Sequence, residues 1–150
     1  MRPLNPIALS LVASAALVGT AAFAQSAEEG RTFVIALTGE AEAPTDGDPD
    51  GSGTATITIN PSTQEICYTL AVTGIDTPTA AHIHIGDEEM AGPVVVPLAA
   101  PTSGTSTGCV TSGRYAAQLW ARPERYYVNV HNAEYPGGAL RGQLPPRDSD

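Results

Sequence analysis

The chain has no lysine. Its seven basic residues are all arginines, set against sixteen acidic ones, for a formal net charge of −9 at pH 7. A surface of that sign repels phosphate backbones and anionic lipid, which argues against nucleic acid or an anionic membrane as partner. Only two cysteines are present, neither in a Cys-x-x-Cys pair nor within a few residues of a histidine, so a cysteine-based metal site is not expected. The sequence also lacks a recognisable nucleophile–base pair, a spaced carboxylate pair and a nucleotide-binding loop, so it is not expected to be an enzyme. Beyond residue 22 no long apolar run occurs, and no membrane span is expected in the mature chain.

The apolar run that does occur sits at the N-terminus. Arg2 precedes the stretch Ile7 to Ala22, and Ala22-Phe23-Ala24 is a small-x-small cleavage signal. Residues 1–24 therefore read as a signal peptide, residues 25–30 as a mobile leader, 31–145 as one domain and 146–150 as a C-terminal tail. Export to the periplasm or the extracellular medium follows. In that oxidising setting Cys67 and Cys109 are expected to form a disulfide worth about 4 kcal/mol, the alternative being two buried thiols.

Strand-like alternation fills the domain. Phe33, Ile35 and Leu37 share one face of a first run, Ala55, Ile57 and Ile59 of a second, and Ile66, Tyr68 and Leu70 of a third. Further runs cover Thr79 to Ile85, Val94 to Leu98, Ser106 to Thr111, Tyr126 to His131 and Ala139 to Leu144. Pro93 and Pro97 confine the Val94 run to an edge. Ser112 to Ala121 is the one helical stretch, with Tyr115, Leu119 and Trp120 as a plug over one end. Seven or eight short strands with regular turn signals predict an all-β fold, an antiparallel β-sandwich or flattened Greek-key-like barrel.

All three histidines fall in strands. His82 and His84 are spaced i, i+2 and so face the same way, about 7 Å apart along the backbone. His131 ends another strand. If the strands are neighbours, the three imidazoles form a site for Cu(II) or Zn(II), with water or an acid from Asp87 to Glu89 completing the shell. The competing reading is a polar seam in which His82, His84 and His131 bond one another, Asn129, Arg141 or Gln143. Asp46-Gly47-Asp48-Pro49-Asp50-Gly51 resembles half a calcium loop, but Ile57 stands where the bidentate acid belongs, so an acidic turn is expected. Gly104-Thr105-Ser106-Thr107-Gly108 matches the serine-hydrolase string without the strand-turn-helix setting it needs.

Leu37-x-Gly39, Glu42-x-Pro44, Ile66-Cys67-Tyr68, Ala81-His82-Ile83-His84 and Gly92-Pro93-Val94-Val95 together form a recognisable pattern. It closes with Tyr126-Tyr127-Val128-Asn129-Val130-His131 and Pro136-Gly137-Gly138-x-x-Arg141-Gly142-Gln143. The whole resembles the CHRD domain, first described in the animal protein chordin and found in many secreted microbial proteins. One departure is Ile85, which stands between His84 and the glycine that usually follows directly. The resemblance implies an extracellular all-β domain with no agreed catalytic activity. A looser likeness links the His-x-His strand to copper/zinc superoxide dismutase, but that enzyme's zinc-loop ligands have no counterpart here. Two functions follow as expectations. One is a non-catalytic secreted binding or structural module whose partner is a protein or cell-envelope component, with no cofactor. The other is a copper- or zinc-binding protein using His82, His84 and His131.

Overall fold

The structure, a computed structural model, describes residues 30–147. The signal peptide expected over 1–24 and most of the leader and tail lie outside the described residues. Eight strands form one antiparallel sheet: β1 (Arg31–Thr38), β2 (Ser52–Asn60), β3 (Glu65–Thr73), β4 (Ala80–Ile85), β5 (Val94–Leu98), β6 (Thr105–Thr111), β7 (Tyr126–His131) and β8 (Leu140–Gln143). Their order is β5-β4-β7-β8-β1-β2-β3-β6. The all-β expectation holds, and its barrel form rather than the sandwich: one sheet curls until its edge strands, β5 and β6, approach. Side chains bridge them. Ala99, just after β5, donates its N–H to the Tyr68 hydroxyl at 2.8 Å and accepts from Ser106 Oγ at 2.7 Å.

Period-two alternation explains the inside. Phe33, Ile35 and Leu37 of β1, with Ile57, Ile59, Ile66 and Leu70 of β2 and β3, are buried, while Val34 is 70 % exposed. α1 (Gly113–Ala121) covers the core from β2 and β3, burying Ala116 and Leu119 at i, i+3 spacing. Tyr115 and Trp120 are only partly buried. Trp120 instead supports cations: Arg31, opening β1, and Arg147, at the end of the described chain, lie 5.3 and 5.7 Å from its ring. A 3-10 turn at Pro123–Arg125 leads into β7.

The Cys67–Cys109 disulfide is present, joining facing residues of β3 and β6. β6 needs it, since none of its residues is fully buried and β3 is its one ladder partner. At the other weak point, β8 pairs with β1 through Thr38 and Arg141 alone.

Candidate metal centre

β4 and β7 are adjacent, and their register sets His82 opposite Asn129, His84 opposite Tyr127 and Ala80 opposite His131. Ile83, Val128 and Val130 on the alternate positions point into the barrel. The histidines therefore occupy the outer face of the same strands whose inner face is core. A register shift against β5 falls at His84, where strand pairing jumps from Val96 to Val94.

Three ring nitrogens, one from each histidine, lie within 4.8 Å of one another. Two rings are fixed by backbone carbonyls. His84 Nδ1 donates to the Gly92 carbonyl at 2.8 Å and His131 Nδ1 to the Pro136 carbonyl at 3.0 Å. A carbonyl only accepts, so each Nδ1 carries the proton and each Nε2 presents a lone pair. This is the arrangement that orients metal-binding imidazoles. His82 Nδ1 sits 3.2 Å from His131 Nε2. Two nitrogens at that separation, each about 2.05 Å from a shared ion, subtend about 100° there, close to tetrahedral. Without an ion, His82 donates to His131 and closes the cluster with one hydrogen bond.

Electrostatics keep the rings neutral. Burial lowers the pKa of His82, His84 and His131 below the usual 6.5; for His82 the neighbouring His131 and His84 push the same way. His84 Nε2 is buried without a hydrogen-bond partner, as are Asn129 Oδ1 and Glu42 Oε1. The His84 Nε2 lone pair, aimed into the cluster without a donor, suits a cation, because an unmatched buried acceptor costs about 1–3 kcal/mol.

Glu42 is the residue that sequence reasoning passed over. Only 7 % exposed, it lies under Gly138, where a Cβ would overlap its carboxyl group. Burial raises its pKa to about 7 against the opposing pull of Arg141, a hydrogen bond from Asn129 and the Ala43 N–H. Its one sequence signal was its place in the Glu42-x-Pro44 string.

Arg141 and Gln143 do not bond the histidines; they hold a loop. Arg141 is 1 % exposed and donates to the carbonyls of Met90, at 3.2 Å, and Asp87. Gln143 donates to the carbonyls of Gly86 and Glu124 at 3.0 and 2.8 Å. The Arg141 guanidinium also lies 3.5 Å from the Tyr127 ring centroid, and Tyr127 stacks on His84 at 4.8 Å. The Tyr127 hydroxyl accepts from the Gly92 N–H at 3.0 Å. Arg141, Tyr127 and His84 thus converge on the segment 86–92, which supplies the carbonyl orienting His84. The acids of that segment stay apart: Asp87 Oδ1 accepts from the Glu89 N–H, and no carboxylate joins the histidine cluster among the described residues. In the acidic loop Asp48 Oδ1 accepts from the Asp50 N–H, a turn.

No curated protein and no solved structure matches the chain. The family model described as CHRD domain matches residues 33–144, from the first core residue of β1 to the residue after β8. That span holds β1 from Phe33 onward, all of β2 to β8 and every residue of the histidine cluster, and on it the chain belongs to the CHRD domain family.

Proposed function

We propose that this is an exported, non-catalytic binding domain whose ligand is Cu(II) or Zn(II), held by His82 Nδ1, His84 Nε2 and His131 Nε2. The observation that carries the reading is the pair of backbone carbonyls, Gly92 and Pro136, that turn two Nε2 lone pairs toward the cluster. An all-nitrogen donor set with no thiolate suits these two ions, and water completes the shell. The Cys67–Cys109 disulfide supports an oxidising compartment.

The test is calorimetric titration of the purified domain with each ion, repeated with His82→Ala, His84→Ala and His131→Ala. The expected result is tight binding by the parent and a large loss in all three folded variants. Binding should also weaken as pH falls, because protons compete for the imidazoles. Parent affinity weaker than about 100 μM, near −5.5 kcal/mol, would leave the cluster as a hydrogen-bonded seam.

A further inference from the structure

In a chain this acidic the few arginines are unevenly placed, and three of them gather on one side of α1. Arg114, Gln118 and Arg122 stand four residues apart, which stacks them on one face of the helix and its C-cap, opposite the buried Ala116 and Leu119. Arg125, on the 3-10 turn that follows, closes the same side. With Ile85 at the end of β4, Ala121, and Tyr126 at the start of β7, they line a hollow of about 420 Å³. No acidic residue lines it. Glu124, the one acid between residues 112 and 126, lines a different hollow with Asp87, Glu88 and Glu89.

The donors around the hollow are uncommitted. Arg114 lies 5.4 Å from the ring of its neighbour Tyr115, and among the described residues no side-chain hydrogen bond or ion pair engages any of the three guanidiniums. Gln118 Oε1 accepts from the Tyr126 hydroxyl at 3.1 Å, so its NH2 end is a further donor. Burial holds the Tyr126 phenol above its usual range, and the charges of Arg125 and Arg114 both pull the other way, which sets them near the same hydroxyl. The chain's net charge of −9 is felt weakly there, because exposed charges more than about 8 Å away are largely screened at physiological salt.

We propose that this hollow binds a small phosphomonoester. Its dianionic head offers three oxygens to three guanidiniums, each presenting paired N–H donors, with the Gln118 amide beside them. A carboxylate or a sulfate ester brings one charge instead of two. Ile85, Ala121 and Tyr126 form the side that takes the carbon body, in a volume suited to a small molecule. A phosphate polymer is still turned away, since its charges extend beyond the hollow to the acidic remainder of the surface. The site rests on the arginine face of α1, independently of any metal.

The probe is phenyl phosphate, titrated with the full chain and followed by its phosphorus NMR shift. EDTA is present so that no histidine-bound ion contributes, and at pH 8 the ester is dianionic. Saturable binding at about 1 mM or tighter is expected. Arg122→Gln and Arg125→Gln alter exposed side chains and are each expected to weaken binding at least about tenfold, with an unchanged urea midpoint. Arg31→Gln removes the same charge beside Trp120, outside the hollow, and is expected to leave affinity within about twofold. Should a glutamine variant lose stability, Arg122→Lys keeps the charge without the fork and is expected to weaken binding at least about threefold. Phenyl sulfate, followed by its proton shifts, should bind at least about fivefold more weakly than phenyl phosphate. The proposal is overturned if phenyl phosphate does not saturate, if phenyl sulfate binds equally well, or if Arg31→Gln weakens binding as much as the changes at Arg122 and Arg125.

Discussion

Glu42 and the three histidines pull the pH dependence of stability in opposite directions. The histidines have folded pKa values below 6.5, so their stabilising contribution is complete above that pH and is lost as pH falls below it. Glu42 has a folded pKa of about 7 against 4.5 for an unperturbed carboxyl, so its contribution is complete below 4.5 and is lost as pH rises through 7. In the metal-free domain the two effects therefore oppose each other below pH 6.5, and the Glu42 loss, which begins near pH 4.5, is complete just above pH 7. Glu42→Gln should remove that loss, so that the variant gains stability over the parent as pH rises from 4.5 to 7, with a ceiling of about 3 kcal/mol set by the shift, less the lost attraction to Arg141. Thermal melting of both proteins from pH 4 to 8 checks this, and parallel pH profiles for the two would rule Glu42 out as the source. Gly138 guards the same carboxyl at φ 148°, a conformation that L residues avoid. Gly138→Ala forces a methyl onto Glu42, and an expected loss of about 1–3 kcal/mol would appear as a lower urea midpoint.

Among the elements, β6 and the segment 86–92 depend most on single side chains. β6 is held by its ladder to β3, the disulfide, one partly buried valine and the Ser106 hydroxyl bond to Ala99. Replacing both cysteines by serine should cost about 4 kcal/mol, the loop-closure value for this span, read from urea unfolding with and without reductant. Arg141 carries the segment. Arg141→Met keeps much of the packing over Tyr127 but strands the Met90 and Asp87 carbonyls and leaves Glu42 without its cation. A loss of about 3–5 kcal/mol is expected in urea unfolding, with weaker metal binding because the Gly92 carbonyl is no longer held. The two strands that carry the histidines were legible in the sequence because their alternation is local: His82 and His84 share a face whatever their neighbours. The pairing of β4 with β7, which brings in His131, was not, since 49 residues separate His82 from His131. Arg141 and Gln143 were singled out for the wrong partners for the same reason. They bond backbone carbonyls more than fifty residues upstream, and a carbonyl leaves no trace in the residue type. Glu42 escaped notice because its burial comes from a loop folding back under Gly138.

At the scale of the whole molecule, the sheet is least firmly closed where β5 and β6 meet through side chains without a ladder. Amide exchange should record this as faster exchange along β5 and β6, each paired on one side, than along β2, paired on both. Equal protection of the three strands would count against it. Alternating turns and apolar positions in the sequence were enough for an all-β fold of about eight strands. They could not choose between a sandwich and a barrel, because that choice depends on which strands meet at Thr38 and Arg141 and on the bridge from Ala99 to Tyr68 and Ser106. The indole of Trp120 has a consequence of another kind. Arg31 and Arg147, at the two ends of the described chain, both rest against it, so entry and exit lie side by side. A domain built this way is a cassette: it can be spliced into a loop of another protein, or its ends joined by a short linker and a new opening cut elsewhere.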